Sequence, residues 1–373
     1  MGNGDGPPAG ERTSFVRMSL KDRISAQIAA NGPMRIADYM ALCLFDPADG
    51  YYTTKEPFGA DGDFTTAPEI SQMFGELVGA ALVGHWNRLG APHPFTLAEI
   101  GPGRGTLFAD MSRTVAALAP DMMEAADAVL IEASPRLQTL QAERLAETGI
   151  AARHVASLDD IAPDSPLIIV GNELFDALPF QQFVRTEKGW RERVVLLDDE
   201  NDLAFGIGPG TIDDALLSPS LKATDIGAVL EISPQRGALM DEIAHRLARQ
   251  GGAALFFDYG HVDPGFGDTF QAVARHAYAD PLAEPGRADL TSHVDFAALA
   301  ATARSHDLNV TLSTQGEWLL RHGLLERAGA LGAGKDDQTQ DHLRGEVQRL
   351  AGNEPDEMGD LFKVIEITPS QTE

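Results

Sequence analysis

The sequence predicts an α/β protein in which strands and helices alternate along most of the chain. An apolar run at residues 95–100 leads into a glycine-rich turn, and a helix-like segment follows at residues 107–118, as in a strand–turn–helix unit. Two further apolar runs, residues 166–171 and 253–257, are nearly continuous, which is typical of strands buried on both faces. These observations favour a central sheet covered by helices.

The first part of the chain predicts a disordered start and a helical cap. Residues 1–13 are rich in glycine, proline and charge, a composition that predicts disorder. Apolar residues then recur at helical spacing over residues 14–44, and a Gly-Pro step at 32–33 separates two helices. Because this segment precedes the glycine-rich strand, we expect it to lie beside the central sheet.

A loop with aromatic and acidic residues follows the cap. Residues 49–70 contain too much glycine and proline for regular structure, and such loops often close over a ligand. A packed surface loop explains the same composition equally well. Glu69 and Ile70 then begin a helix that runs toward Leu89, with apolar residues at helical spacing.

The glycine-rich turn predicts a nucleotide-type cradle. Gly101, Gly103 and Gly105 alternate with other residues, and glycine permits positive φ and a close approach of the backbone to a ligand. The spacing lacks the third glycine of the dinucleotide fingerprint, and the Gly-Lys-Ser/Thr sequence of a P-loop does not follow. Neither a dinucleotide nor a nucleoside triphosphate is therefore favoured.

Two acidic residues at strand ends favour S-adenosylmethionine instead. Glu99 lies just before the glycines, and Glu132 ends the next predicted strand, residues 128–132. The ammonium group of the cofactor would be attracted to Glu99, and the ribose hydroxyls would donate to Glu132. A tight turn beside two surface acids is the alternative explanation of the same pattern.

The next strand ends carry further candidate residues. Asp159 follows a short third strand and could accept from an adenine amino group, although an exposed loop acid explains it better. The fourth strand ends in Asn172, Glu173 and Asp176, and ligands of open α/β sheets lie outside the carboxyl ends of the strands. A helix cap is the alternative role for Asp176.

The rest of the chain predicts a β-rich insertion and then a return to the sheet. The remaining predicted elements are strands at 183–186, 191–196 and 228–232, a helix at 235–249, the strand at 253–257, a long poorly periodic run up to residue 293, a helix at 294–302, strands at 309–314 and 362–368, and helices at 317–331 and 342–350.

Charge and cysteine content limit the partners and the compartment. The chain has 29 basic and 56 acidic residues, a net charge of −27, which disfavours nonspecific binding to nucleic acid or anionic membranes. Such a surface favours a basic partner, although solubility alone also explains it. The single cysteine, Cys43, excludes a disulfide framework and indicates a reducing compartment, and we expect no membrane insertion and no metal site.

Several longer motifs resemble the MidA-type family, which belongs to the class I S-adenosylmethionine-dependent methyltransferases. The matching segments include Gly50-Tyr51-Tyr52, Glu99-Ile100-Gly101-Pro102-Gly103-Arg104-Gly105-Thr106, Asn172-Glu173-Leu174-Phe175-Asp176-Ala177-Leu178-Pro179, Asp258-Tyr259-Gly260-His261 and Ala288-Asp289-Leu290-Thr291. The resemblance covers about residues 14–368 and implies a class I, Rossmann-like methyltransferase sheet with a helical N-terminal cap and β-rich and helical insertions.

The resemblance also implies an activity and a partner. Members of this family include a mitochondrial complex I assembly methyltransferase, which implies methyl transfer to an arginine of a complex I subunit, giving symmetric dimethylarginine. Asn172 stands where the mitochondrial relative has histidine, so the role of that position is not carried over. We expect a bacterial cytoplasmic protein that binds a basic protein segment; a homodimer is one outcome for its oligomeric state.

The candidate residues fall into two groups. Glu173 and Asp176 are the first catalytic candidates, since a carboxylate should orient a guanidinium group. Glu69 and His261 are the second catalytic candidates. The candidates for cofactor binding are Glu99, Gly101, Gly103, Gly105, Thr106, Glu132, Asp159 and Asn172. A small-molecule methyltransferase and a non-catalytic cofactor-binding assembly factor stay open as alternatives.

The predicted domain organisation follows from these segments. We expect a disordered N-terminus at 1–13, a helical cap with an active-site loop at 14–90, the first part of the cofactor-binding core at 91–185, a β-rich insertion at 186–232, and the second part of the core at 233–373 with a helical insertion at about 316–352.

Overall fold

The computed structural model describes residues 18–54, 65–213, 215, 217, 224–263, 265–274 and 277–370. The predicted disorder at 1–13 and the middle of the predicted loop over the ligand, residues 55–64, lie outside these residues. None of the described helices has the length and the apolar character needed to cross a bilayer.

The helices are α1 (Leu20–Asn31), α2 (Ile36–Phe45), α3 (Tyr51–Thr54), α4 (Ala67–Ile70), α5 (Gln72–Arg88), α6 (Thr106–Leu118), α7 (Pro120–Ala125), α8 (Pro135–Thr148), α9 (Pro234–Gln250), α10 (Phe296–Arg304), α11 (Gln315–Arg321), α12 (Leu324–Gly332) and α13 (Asp337–Ala351). A 3₁₀ turn covers Leu158–Asp160.

The strands are β1 (Met34–Arg35), β2 (Phe95–Ile100), β3 (Ala126–Ile131), β4 (Arg153–Val155), β5 (Leu167–Asn172), β6 (Gln181–Thr186), β7 (Gly189–Leu197), β8 (Leu203–Ile207), β9 (Val229–Ile232), β10 (Gly252–His261), β11 (Gln271–Ala274), β12 (Ala277–Ala279), β13 (Asp289–Thr291), β14 (Val294–Asp295), β15 (Leu308–Thr314) and β16 (Phe362–Pro369).

The central sheet confirms the predicted α/β class. Its strand order is β15-β16-β10-β5-β2-β3-β4, and β2, β3, β4, β5 and β10 run parallel. The two late strands, β15 and β16, add an antiparallel edge, and the short β14 pairs with the end of β10. The carboxyl ends of the five parallel strands therefore meet at one edge of the sheet.

Helices cover both faces of this sheet. On one face, α5, α6 and α11 share a core with the sheet, where Trp318 packs edge-on against Phe257 with ring centroids 5.0 Å apart. On the other face, α9 and α10 pack against residues such as Phe256, which contacts Phe175 at 5.3 Å. Burial on both sides explains why the strand sequences are nearly continuous apolar runs.

The N-terminal cap and the β-rich insertion share one core. A second sheet has the order β1-β7-β6-β9, with β8 paired to β7, and β1 comes from the cap. Apolar residues of α1 and α2, such as Ile24 and Tyr39, lie in one cluster with Val195 of β7 in the insertion. The same cluster contains Phe180, which precedes the insertion, and Leu290 of β13. Segments distant in the sequence thus form one lobe beside the central sheet.

Three predicted elements were wrong in detail. The long run before residue 293 contains a three-stranded sheet, β12-β11-β13, whose strands of three or four residues are too short to show a periodic pattern. The helix predicted at 317–331 is divided at Gly323, which has φ of 95°. The helix predicted from Glu69 is divided at Ser71, whose extended backbone lets its hydroxyl accept from the N–H of Met73 at 3.2 Å.

Close packing of α5 on α6 generates a stability prediction. A Cβ at Gly79 would lie 2.6 Å from the carbonyl oxygen of Met111, so Gly79→Ala should lower the free energy of unfolding by about 1–3 kcal/mol. Gly84 of the same helix is the matched control, because the nearest atom to its Cβ would be the mobile end of Arg88, at 3.4 Å. Gly84→Ala should be neutral or stabilising by up to about 1 kcal/mol. Chemical denaturation measures both variants, and equal effects would contradict the prediction.

Candidate functional site

A large cavity lies at the carboxyl ends of the parallel strands. Its volume is about 1350 Å³, and it is lined by residues that follow β2, β3 and β5 and by Tyr259 near the carboxyl end of β10. Single ligands usually occupy cavities of about 300–1000 Å³, so this cavity has room for two molecules. Its position is the one that the parallel sheet predicts.

The glycine-rich turn forms one wall of the cavity. Gly101, Gly103 and Gly105 have φ of 67°, 53° and 77°, a backbone conformation that other residues rarely adopt. A Cβ at Gly101 would lie 3.2 Å from Leu174, and one at Gly105 would lie 3.3 Å from Gln141. The turn therefore brings bare backbone to the cavity, and Gly105 serves as the N-cap of α6.

Glu99 is a buried carboxylate at this wall. Only 2% of its surface is exposed, and its Oε2 atom has no hydrogen-bond partner among the described residues. Burial raises the pKa of Glu99 to about 8, because the charged form loses its hydration. A cationic ligand would stabilise the charged form of such a carboxylate in place of the lost water.

Glu132 is tied to the glycine turn by Gln141. Glu132 Oε1 accepts from the backbone N–H of Ser134 at 2.7 Å, and burial raises the pKa of Glu132. The Gln141 amide donates to the carbonyl of Gly103 at 2.8 Å and lies 3.4 Å from Glu132 Oε2. Gln141 is fully buried, so it fixes the distance between the turn and the carboxylate.

Glu173 and Asn172 lie where β5 ends. The Asn172 amide donates to Glu173 Oε1 at 2.9 Å, and Glu173 has φ of 50°, which is uncommon for a residue other than glycine. Burial, and next the negative charge of Asp176, raise the pKa of Glu173 to about 8. Nearby, the hydroxyl of Thr106 donates to Glu69.

Asp176 is a second buried carboxylate of the cavity. It is 5% exposed; its Oδ2 atom accepts from the hydroxyl of Tyr259 at 2.8 Å, and its Oδ1 atom has no partner among the described residues. Burial raises the pKa of Asp176, and the hydrogen bond from Tyr259 opposes this effect. Glu173 and Asp176 are thus two carboxylates whose charges are unfavourable without a cation.

Two buried charges hold the segment that carries these carboxylates. Asp258 Oδ2 accepts from three successive backbone N–H groups of residues 174–176, at 3.1, 2.8 and 3.2 Å. The Arg236 guanidinium donates to the carbonyls of Phe175 and His293, both at 2.7 Å. Together they join the end of β5 to the segment that follows β13.

The structure brings most of the predicted site residues to the cavity. Those that line it are Glu69, Glu99, Gly101, Gly103, Thr106, Glu132, Asn172, Glu173 and Asp176. Asp159 does not: its side chain is 88% exposed and lies 3.5 Å from Arg246. His261 is also outside the lining, and its ring Nδ1 lies 2.7 Å from the carbonyl of Asp263.

Other residues of the site were missed in the sequence. Tyr259 is the second residue after the strand predicted at 253–257, so the strand-end rule would have found it. Tyr52 and Asp289 line the cavity from the other lobe, and Gln141 and Arg236 act from helices. Tyr52 and Asp289 belong to two of the motifs that carry the family resemblance, but the sequence does not show that these motifs meet at the cavity; the positions of Gln141 and Arg236 give no signal of a role in the site. Among the described residues, no group of three or more His, Cys, Asp or Glu side chains is placed to hold a metal ion.

Comparison with known proteins identifies similar chains. Residues 77–314 match the family described as "Putative S-adenosyl-L-methionine-dependent methyltransferase". The mitochondrial protein arginine methyltransferase NDUFAF7 of Danio rerio is 33% identical over 375 residues, covering 95% of this chain and 88% of that protein. The Homo sapiens protein of the same name is 32% identical, with 92% and 82% covered.

A solved structure is similar over nearly the whole chain. The crystal structure of a Burkholderia thailandensis protein bound to S-adenosyl-homocysteine has a TM-score of 0.81 and 26% identity, and the match covers 94% of this chain and 91% of that one. A native crystal structure of an uncharacterized Burkholderia thailandensis protein has a TM-score of 0.78 and also 26% identity. The predicted class of fold and the predicted cofactor, S-adenosylmethionine, are confirmed.

The buried Glu99 generates a prediction of pH dependence. Between pH 4.5 and about 8 the unfolded chain releases the Glu99 proton and the folded protein retains it, so this residue makes stability fall as pH rises. The stability of the ligand-free parent relative to Glu99→Gln should therefore decrease across this window, by about 1 kcal/mol per pH unit at most. Denaturation at several pH values measures it.

The control for this experiment is Glu124→Gln, at an exposed position of α7. Its stability relative to the parent should stay constant over the same pH range. A constant difference for Glu99→Gln as well would mean that Glu99 is ionised in the folded protein throughout the window.

Proposed function

This chain belongs to the S-adenosyl-L-methionine-dependent methyltransferase family that matches residues 77–314, and on that premise we propose that it methylates arginine side chains of a protein. The observation that carries the proposal is that two carboxylates, the half-buried Glu173 and the buried Asp176, line the same cavity as the glycine turn. The names of its relatives support arginine as the acceptor. We further propose a subunit of respiratory complex I as substrate and symmetric dimethylarginine as product, as the family resemblance implies.

The cofactor fits the wall formed by the glycine turn. S-adenosylmethionine, when bound, supplies a methyl group on a positively charged sulfur. Glu99 offers an unpartnered buried oxygen to the ammonium group, and Glu132 accepts from the ribose hydroxyls. The backbone at Gly101 and Gly103 permits the close approach, since a side chain there would project toward Leu174 or require a strained φ.

Glu173 and Asp176 orient the acceptor. A guanidinium group is planar and has five N–H donors in a fixed fork, so carboxylates can fix both its position and its plane. A positively charged substrate would also offset the repulsion between these two carboxylates. The pair therefore favours binding of a cationic group over a neutral one. Their fixed segment, held by Asp258 and Arg236, limits the loss of freedom on binding.

Proton transfer follows from the same residues. Methylation of a guanidinium nitrogen would form one N–C bond, break the sulfur–methyl bond of the cofactor to leave a neutral thioether, and release one N–H proton, so the net charge of the acceptor stays the same. We assign that proton to the Glu173 carboxylate, which lines the cavity just after β5 and which a bound cationic acceptor would keep in its charged form. Glu173 then returns the proton to water.

Charge and cavity size support a protein substrate. The net charge of −27 would attract a basic segment toward the cavity. A volume of about 1350 Å³ holds the cofactor together with an inserted side chain. The alternatives are a metabolite substrate or cofactor binding without transfer, and the experiments below separate them.

Cofactor binding is predicted to depend on the glycine turn and on Glu132. Isothermal titration with S-adenosyl-homocysteine should give a micromolar Kd for the parent, about −8 kcal/mol. Gly103→Val should weaken binding of S-adenosyl-homocysteine by about 10- to 100-fold, because the valine side chain fills the cradle. Glu132→Ala should weaken it by a similar factor, because it removes a hydrogen-bond acceptor. Absence of both heat and thermal shift in the parent would refute the assignment of the cradle.

Matched controls exist for both substitutions. Gly149 ends α8 with φ of 73° and has open space around it, so Gly149→Val introduces similar backbone strain away from the cavity. Glu143→Ala removes an exposed carboxylate from the same helix. Both controls should keep the Kd of the parent.

Transfer to arginine is predicted to depend on Glu173. With peptides of complex I subunits and labelled cofactor, Glu173→Gln should lower kcat at least about 100-fold, since it removes the proton acceptor. Binding of S-adenosyl-homocysteine should stay within about threefold of the parent, which a general folding defect would not allow. Mass spectrometry of the labelled peptides identifies the product.

The control for this experiment is Glu187→Gln, at an exposed turn position, which should keep the kcat of the parent. Label on a metabolite but on no peptide would favour the small-molecule alternative. Binding of the cofactor without any transfer would favour the non-catalytic alternative.

A further inference from the structure

One face of the small sheet β12-β11-β13 lines the cavity. Val273 of β11 lies directly opposite Tyr278 of β12 on one side and Asp289 of β13 on the other. Residues directly opposite each other in antiparallel strands share one face of the sheet, and all three of these residues line the cavity. The other face carries Ala272 and Leu290, which are buried in the core of the second lobe.

Exposure to solvent increases along this row of three residues. Asp289 is 4% exposed, Val273 is half-buried and Tyr278 is 82% exposed. Neighbouring strands of a sheet are about 4.8 Å apart, so the backbone of Tyr278 lies about 10 Å from that of Asp289. The row therefore leads from the interior of the cavity to its mouth.

The inner end of the row lies beside the proposed acceptor site. Partial burial, and next the negative charges of Asp176 and Asp289, raise the pKa of Glu173, so Asp289 lies within electrostatic range of that carboxylate. The hydroxyl of Tyr52 donates to Asp289 Oδ1 at 2.9 Å, and the ring of Phe45 stacks on Tyr52 with centroids 5.9 Å apart. Phe45 is thus connected through Tyr52 to the same buried aspartate.

Three large apolar side chains of the cavity lining are also exposed. Phe45, Tyr278 and Leu361 are 44%, 82% and 42% exposed. They come from the cap, the small sheet and the segment before β16. A single exposed apolar side chain is common on any protein surface, whereas several at one cavity are explained if a partner covers them as it enters.

A protein side chain that enters the cavity brings its chain neighbours to the mouth. An extended chain advances about 3.3–3.6 Å per residue, so the length of the row corresponds to about three residues of substrate. Residues within that distance of the acceptor arginine are therefore the part of the substrate that meets Tyr278. The outer part of the row consists of Val273 and Tyr278, which offer aliphatic and ring surface to such a neighbour.

We propose that Tyr278 and Val273 bind an apolar side chain next to the acceptor arginine, so that the substrate is an arginine flanked by aliphatic or aromatic residues. This inference rests on the proposed function. The acidic interior then selects the arginine, and the row at the mouth selects its sequence context. The contact is made outside the reacting groups, so it should act on KM for the substrate more than on kcat.

The test begins with the parent protein and two synthetic peptides, each with a single arginine. One peptide carries leucine at the positions around the arginine, and the other carries serine there. KM should be about 3- to 10-fold lower for the leucine peptide, because its side chains leave water for the apolar row, and kcat should agree within about twofold. If the parent methylates only peptides of complex I subunits, the same exchange around their arginine provides the comparison.

Tyr278→Ser tests the protein side of the contact. KM for the leucine peptide should rise about 3- to 10-fold, whereas KM for the serine peptide should not change, the non-additive result expected of two groups in contact. Tyr278→Phe retains the ring and should keep the KM of the parent. Leu118→Ser removes a side chain of α6 that is 61% exposed and lies outside the cavity lining, and it should keep it as well. The Kd for S-adenosyl-homocysteine should stay within about twofold in every variant.

Several outcomes would overturn the inference and leave arginine methylation standing. Equal KM values of the parent for the leucine and serine peptides would do so, and so would a rise in KM for both peptides in Tyr278→Ser. A third peptide, with lysine at the same positions, distinguishes an apolar from a cationic neighbour. If Tyr278→Ser raised KM for the lysine peptide and not for the leucine peptide, Tyr278 would bind a cation instead. Absence of transfer by the parent to any arginine peptide would refute the proposed function itself.

Discussion

Arg236 and Asp258 form the buried framework on which the site depends. Arg236 is only 6% exposed, and its guanidinium donates to backbone carbonyls on two separate segments. Asp258, at the end of β10, accepts from the backbone N–H groups of residues 174–176. Burial lowers the pKa of Arg236, and the carboxylates of Asp258 and Asp176 oppose this shift. The two charges stabilise each other while they fix opposite sides of one turn.

This framework explains how an unfavourable group of charges can persist in the fold. Glu99 and Asp176 are buried and Glu173 is half-buried, and the partial or complete loss of hydration raises the pKa of each of them. In the ligand-free protein such carboxylates lower stability when they ionise, because they lack hydration and a cation. A cationic cofactor and a cationic acceptor would each reverse that cost. The same carboxylates that lower the stability of the ligand-free protein would thus raise its affinity for positively charged ligands.

The second lobe lines one side of the cavity. Its core combines α1 and α2 with the sheet that contains β6 and β7, and with β13. Because β13 also pairs with β11, the position of Asp289 depends on how the cap and the insertion pack together. A class I sheet alone would provide the cofactor wall. Residues of both lobes, such as Asp176 and Asp289, line the cavity.

The sequence by itself determined the sheet, the cofactor wall and the first candidates at the ends of the strands. It could do so because parallel strands place their carboxyl ends at one edge, so Glu99, Glu132 and Glu173 had to lie near each other once the strands were recognised. The tertiary structure alone decided that Tyr52 and Asp289 line the same cavity and that Asp159 lies outside it. Tyr52 and Asp289 are 237 positions apart, and no local pattern encodes their contact. Their meeting depends on packing between two lobes, which is a property of the whole chain.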